Sequence, residues 1–298
     1  MKIGFIGLGT MGSAMCQNIT RKHDDSVFAY DIRPDALEAA VSQGAVACTS
    51  AAEIARRADL IFTMVQTSLQ VLSIYEEMLP ELNEEKICVD MSTIYPDVTL
   101  RVHHMLEEKG TAFLDAPVVR SKGEAIMGTV GIYVGGDWDV YQKIRPILAY
   151  MGRSLIHIGG VGSGIIMNIC HNVAVAQIQN AVNEALALAE SQNIDMDRFA
   201  AALSYGGGQN AYLDAKLTKL ETEDFTPEYS VDQMTKAIRI CERFADMNDM
   251  DLPGMKAAQA VYKKAGEEGM GGEDYCATVK IVRSMVHSHA DTDGKEIY

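Results

Sequence analysis

Asn168, His171, Asn172 and Gln179 fall at i, i+3, i+4 and i+11, close to one face of a helix, in a run from Gly160 to Asn183 without Asp, Glu, Lys or Arg. Amides so placed can hydrogen-bond a hydroxyl or carbonyl oxygen, and an imidazole beside them can move a proton near neutral pH. At the start of the chain, Gly7-Leu8-Gly9-Thr10-Met11-Gly12 directly follows the apolar stretch Ile3 to Ile6. Glycines at these positions permit a tight turn, close approach of the backbone to a pyrophosphate, and a following helix that lies against the strand. The phosphates would then meet the unpaired amides of that helix. A second apolar stretch, Val27 to Tyr30, ends in Asp31, near the offset of an acid that accepts from a ribose 2′-hydroxyl. The pattern predicts a dinucleotide site. Asp31 favours NAD over NADP, because a carboxylate repels a 2′-phosphate. Arg33 is placed to meet such a phosphate, or equally to lie in solvent beside Pro34.

These residues need elements to hold them. Residues 162–192 have the apolar spacing of one long helix, about 45 Å at 1.5 Å per residue, which needs packing along both halves. Its many amides argue against a membrane span, where each would need a partner. Before it, strand and helix patterns alternate from Ile3 to His157, with strands at Val27, Ala45, Leu60, Ile87, Ala112, Gly131 and Ser154. Such alternation predicts a doubly wound parallel sheet covered on both faces, with ligands at the carboxyl ends of its strands. Val65, Gln66 and Thr93, on loops leaving those ends, are expected to line the cofactor. After Gly160 the pattern is helical throughout. The expected organisation is α/β: a Rossmann-type dinucleotide-binding domain at 1–160, an all-helical substrate and dimerisation domain at 161–290, and a polar tail at 291–298.

With 48% apolar and 22% charged residues the composition is that of a globular protein. A net charge of −15 argues against nucleic acid or an anionic membrane as partner, and an anionic substrate would need local cations. The six cysteines are scattered without a Cys-x-x-Cys pair, which suits reduced thiols in a cytoplasm. No targeting segment and no metal site are expected. The helical half would leave apolar surface uncovered, so a homodimer or homotetramer packed through it is expected.

The chain resembles the 3-hydroxyacid dehydrogenase family, which includes 3-hydroxyisobutyrate dehydrogenase and tartronate semialdehyde reductase. The likeness rests on Gly7 to Gly12, on Asp90-Met91-Ser92-Thr93, on Asp115-Ala116-Pro117-Val118 followed by Gly128-Thr129, on Gly162 and Gly164 with Asn172, and on Lys236. It implies hydride transfer between a nicotinamide cofactor and the hydroxyl-bearing carbon of a small 3-hydroxy acid. It also implies Asn172 as a substrate ligand and Lys236 near the nicotinamide. Two departures stand out. Where the family holds a substrate carboxylate in a Ser-Gly-Gly turn, this chain reads Val119-Arg120-Ser121, followed by Lys122. Two cations there suit a second anionic group, as in 2-(hydroxymethyl)glutarate dehydrogenase, or else point to solvent or pair with Glu124.

The second departure concerns the proton. The family's catalytic Lys falls at Asn168, and no Lys lies between Lys143 and Lys216. An amide can orient a hydroxyl but cannot take its proton, and loss of a general base typically reduces rate about 10²- to 10⁴-fold. His171 and Lys236 are the candidates to move the proton, with Lys122 and Tyr205 behind them. Three further readings stay open: reduction of an imine, dinucleotide binding without turnover, and an engineered exchange of Lys for Asn at 168.

Overall fold

The computed structural model describes residues 1–290, and side chains through Val286; the expected tail at 291–298 lies outside the described residues. The chain divides into two compact units within its longest helix, Met1–Asn168 and Ile169 onward.

The first unit is a sheet wound between helices. In order it contains β1 (Ile3–Ile6), α1 (Thr10–Lys22), β2 (Val27–Tyr30), α2 (Pro34–Ser42), β3 (Val46–Ala47), α3 (Ala51–Arg57), β4 (Leu60–Thr63) and α4 (Ser68–Met78). It continues with β5 (Ile87–Asp90), α5 (Pro96–Glu107), β6 (Ala112–Asp115), β7 (Val118–Val119), α6 (Lys122–Met127), β8 (Val130–Gly136), α7 (Trp138–Leu148) and β9 (Gly152–Gly159). The strand order is β3-β2-β1-β4-β5-β6-β8-β7, with β9 on the other side of β8. Period-two alternation sends Phe5, Ala29, Phe62, Val89 and Leu114 into one apolar cluster, and Ile6, Phe28, Ile61, Cys88 and Phe113 into another. Both faces are therefore buried, which explains why these strands read as nearly continuous apolar runs.

The expectation of a parallel sheet holds from β3 to β6 and then fails. β6 and β7 both pair antiparallel with β8, while β8 and β9 run parallel. The cause is local: β7 prolongs β6 beyond Ala116-Pro117 in the same register against β8, and six-residue α6 then turns the chain back where a longer crossover would return β8 parallel.

α8 (Ser163–Ser191) begins in the first unit and continues into the second. The second unit adds α9 (Met196–Leu203), α10 (Ala211–Thr222), α11 (Val231–Met247), α12 (Pro253–Glu267) and α13 (Val279–Ala290). Side-chain caps start several of them: Asp195 accepts from Arg198 N–H, Asn210 from Leu213 N–H, and Ser230 with Gln233 forms a capping box. The buried Lys216 side chain is paired at 2.8 Å with Glu228 and at 3.1 Å with Asp274, joining α10 to the turn that precedes α13.

Candidate active site

The glycine turn between β1 and α1 has the shape that phosphate binding requires. Gly7 sits at φ +95°, and a Cβ there would stand 2.2 Å from Met64 O. At Gly12 it would stand 2.1 Å from Gly7 O, so the helix can lie on the turn only without a side chain. At Gly9 an added Cβ meets nothing within 4 Å: that position faces open space, where a pyrophosphate can approach the first amides of α1. These residues fit a dinucleotide. Leu8 and Met11 flank the glycines, and Thr10 opens the helix.

Asp31 is built into the same turn. Its Oδ2 accepts from Leu8 N–H at 2.6 Å and its Oδ1 from Arg33 N–H at 2.8 Å. The Arg33 guanidinium folds back, donating to Leu8 O at 3.0 Å and pairing with Asp31 at 3.3 Å. The acid is thereby held rigidly beside the turn, with its cation committed to it rather than extended.

On the other side of β1, the ends of β4 and β5 are tied together. Asp90 Oδ1 accepts from Thr63 Oγ1 and from Ser92 Oγ, each at 2.7 Å, and Ser92 Oγ accepts from Val65 N–H at 3.0 Å. This network orients the two loops expected to face the cofactor. Gln66 N–H donates to Gln70 Oε1 at 3.1 Å. Burial pushes the Asp90 carboxyl up to about 6, against the pull of the Thr63 and Ser92 hydroxyls. Ser92 thus holds the loop rather than capping a helix.

At the end of β6, buried Asp115 accepts from Gly162 N–H and from Ile165 N–H, both at 2.7 Å, at the first turn of α8. Burial raises its carboxyl, and those amides work in the opposite direction. Three residues on, Asn168 is 1% exposed; its Nδ2 donates to Val118 O at 3.3 Å and its Oδ1 accepts from Thr93 Oγ1 at 3.5 Å. The first unit therefore brings Asn168 to Thr93 and to the strand leading into the basic segment.

In that segment Val119 ends β7 and packs against Gly131. Ser121 caps α6: its hydroxyl accepts from Gly123 N–H at 3.3 Å and donates to Glu124 in a capping box. Glu124 is held low first by the Ser121 hydroxyl and last by the charge of Arg120. Arg120 and Lys122 are both exposed. Arg120 adopts φ +92°, a backbone region that favours glycine.

The remaining candidates belong to the second unit. His171 and Asn172 are half-buried on α8, Lys236 is half-buried on α11, and Tyr205 is 88% exposed. Desolvation lowers the His171 pKa, leaving the ring neutral at pH 7. The amide stripe does not act as one surface. Gln179 is fully buried, donates to Thr278 Oγ1 and Tyr275 O at 2.5 Å, and accepts from Tyr262 Oη. It is a core residue of the helical unit, as is Asn183, which bonds Thr278 and Tyr212. Asp90 and Asp115 were visible in the sequence as motif residues, yet their function as fasteners shows only through partners from 27 to 50 positions away.

A glycine turn shaped for phosphates, an acid beside it and a helical second unit define a dinucleotide-binding oxidoreductase. Sequence models of two families match the chain: the NAD binding domain of 6-phosphogluconate dehydrogenase over residues 2–159, and the NAD-binding of NADP-dependent 3-hydroxyisobutyrate dehydrogenase over residues 162–282. The 2-hydroxy-3-oxopropionate reductase of Escherichia coli (strain K12) is 31% identical over 294 residues, covering 96% of this chain and 99% of its own. The 2-(hydroxymethyl)glutarate dehydrogenase of Eubacterium barkeri is 29% identical over 289 residues, covering 96% of each chain. Mycobacterium tuberculosis 3-hydroxyisobutyrate dehydrogenase, solved with L-serine, superposes with a TM-score of 0.90 at 28% identity, covering 95% of this chain and 99% of that one. The chain belongs to the 3-hydroxyacid dehydrogenase family and binds NAD(P). No helix among the described residues is long and apolar enough to cross a membrane.

Proposed function

We propose that the protein is an NAD-linked dehydrogenase or reductase for a small 3-hydroxy acid with a second anionic group, working with Asn168 where the family resemblance implies a Lys. The observation that carries this reading is the setting of Asn168: its amide is held between Thr93 and Val118 O, next to a segment with two exposed cations, Arg120 and Lys122. Both ends of that amide have complementary partners, which supports Asn as the residue the site is built around. Bound NAD supplies the hydride acceptor. The chain's own groups do the rest. Val119, Ser121 and the cations of Arg120 and Lys122 hold the anionic groups, Asn168 orients the reacting oxygen, and Asn172 hydrogen-bonds the substrate. The proton of the hydroxyl passes to His171, whose neutral ring can accept it, or to the neutral amine form of Lys236.

Asp31, with Arg33 paired to it, supports NAD rather than NADP. Exposed cations at 120 and 122 disfavour a cationic iminium substrate. In the helical unit, Cys170, Ala174, Ile178, Ala181 and Leu188 form an exposed uncharged stripe on α8, which supports assembly with a second copy. The test is NAD-linked turnover of a panel of 3-hydroxy mono- and dicarboxylates. One or more dicarboxylates should react with kcat/KM at least tenfold above the monocarboxylates. Tight NADH binding with no turnover of any member would replace this reading with a non-catalytic dinucleotide-binding role.

A further inference from the structure

We propose that Asp115 is a positioning residue of this site, a carboxylate that clamps the first turn of α8 to the end of β6 and so fixes where Asn168 stands. The inference rests on Asn168 being at the reacting centre. The first amides of any helix lack partners within it, and a buried helix start needs acceptors from elsewhere. Asp115 supplies two, one oxygen for Gly162 N–H and the other for Ile165 N–H, each at 2.7 Å. A negative charge there also meets the positive end of the helix dipole.

The fit around the carboxylate leaves no slack. A Cβ on Gly164 would lie 2.6 Å from Tyr133 O, 2.7 Å from Asp115 O and 2.8 Å from Asp115 Oδ2. A Cβ on Gly135 would lie 2.4 Å from Asp115 Oδ1 and 2.8 Å from Gly164 N. Strand β8, strand β6 and the helix thus meet at one charged group, in contacts that only glycine permits. Asn168 lies one turn into the same helix, so its place follows the helix start that Asp115 fastens.

The same carboxylate lies on the strand that runs through Ala116-Pro117 into β7 and the basic segment. It therefore keeps two parts of the proposed substrate site in register: the amide at 168 and the cations at 120 and 122. A shift of about 1 Å in a reacting group can reduce rate about 100-fold. Asp115 is 2% exposed, and its two oxygens are occupied by the amides of Gly162 and Ile165.

The experiment compares wild type with Asp115→Asn and Asp115→Ala by three readouts: hydrogen exchange of the peptide covering residues 160–170, the side-chain amide resonance of Asn168 in protein labelled with 15N-asparagine, and steady-state kinetics. In Asp115→Asn an NH₂ replaces one acceptor. Exchange at 160–170 should accelerate at least tenfold, the Asn168 resonance should shift or broaden, and kcat should fall ten- to 100-fold while the Kd for NADH stays within twofold. Asp115→Ala should exceed Asp115→Asn in each effect; if it does not fold, Asp115→Asn alone decides. Unchanged exchange or an unmoved Asn168 resonance would overturn the clamp, and so would loosened exchange with unchanged kcat. If wild type turns over no panel member, the functional reading fails, and exchange with the Asn168 resonance still decides whether Asp115 positions that side chain.

Discussion

Replacing Arg120 with glycine should stabilise the protein and blunt its selectivity in one step. Arg120 holds φ at +92°, where a residue with a Cβ is strained by about 1–2 kcal/mol. Glycine removes that strain but returns about 0.5–1 kcal/mol of freedom to the unfolded chain. The net expectation for Arg120→Gly is a gain of about 0.5–1 kcal/mol, or about 1–4 °C in a unit of this size. The guanidinium is exposed and its charge is the last of the influences on Glu124, so its removal forfeits little inside the protein. Substrate binding should suffer: a charge-assisted bond is worth about 1.5–3 kcal/mol, so KM for dicarboxylates should rise ten- to 100-fold and KM for monocarboxylates less than threefold. Trp138, the single tryptophan, lies on α7 of the same unit and reports its unfolding by fluorescence in urea. Arg120→Ala is the control, since it keeps the Cβ and loses the cation. It should show the same selectivity loss without the gain in stability. Equal stability of the two variants, or unchanged selectivity in both, would refute the assignment of Arg120 as a strained anion ligand.

The folded pKa of Asp90, about 6, lies above the ordinary 3.8, so the folded state holds the extra proton and this group's contribution to stability is full below pH 3.8 and lost as pH rises through 6. The difference is about 3 kcal/mol. Asp90→Asn keeps the acceptor for Thr63 and Ser92, and urea unfolding should find it more stable than wild type by up to that amount at pH 7.5 but not at pH 4; an equal difference at both pH values would contradict the buried ionisation. Lys216→Met leaves the carboxylate of Asp274, fully buried, without its cation. A loss of about 3–5 kcal/mol is expected, read as earlier unfolding of the helical unit by circular dichroism. Asp31→Ser should reduce the NADH over NADPH preference at least tenfold, because the carboxylate goes and Arg33 is released to meet a 2′-phosphate; a preference that survives would place cofactor choice elsewhere.

Much of the architecture is legible in the sequence because its signals are local. Three glycines next to an apolar strand specify the first turn, and an uninterrupted apolar period specifies α8. The two-residue β7, which prolongs β6 past Ala116-Pro117, was not legible, since two residues have no period. The same limit applies to the amide stripe. Asn168 and Gln179 share a residue class and a helix face, yet one meets Thr93 and the other Thr278, 99 positions away. Which amide is core and which stands with the loops depends on distant partners that spacing alone does not contain.

The measurement that bears most directly on the function is kcat/KM with NAD for the preferred dicarboxylate, in wild type and in Asn168→Lys side by side. A site built around the amide predicts that wild type turns over and that Asn168→Lys is no more than tenfold faster, with His171→Ala or Lys236→Ala lowering the wild-type rate at least 100-fold. Turnover that appears only once Lys stands at 168 would contradict it and make the chain a dehydrogenase lacking its base.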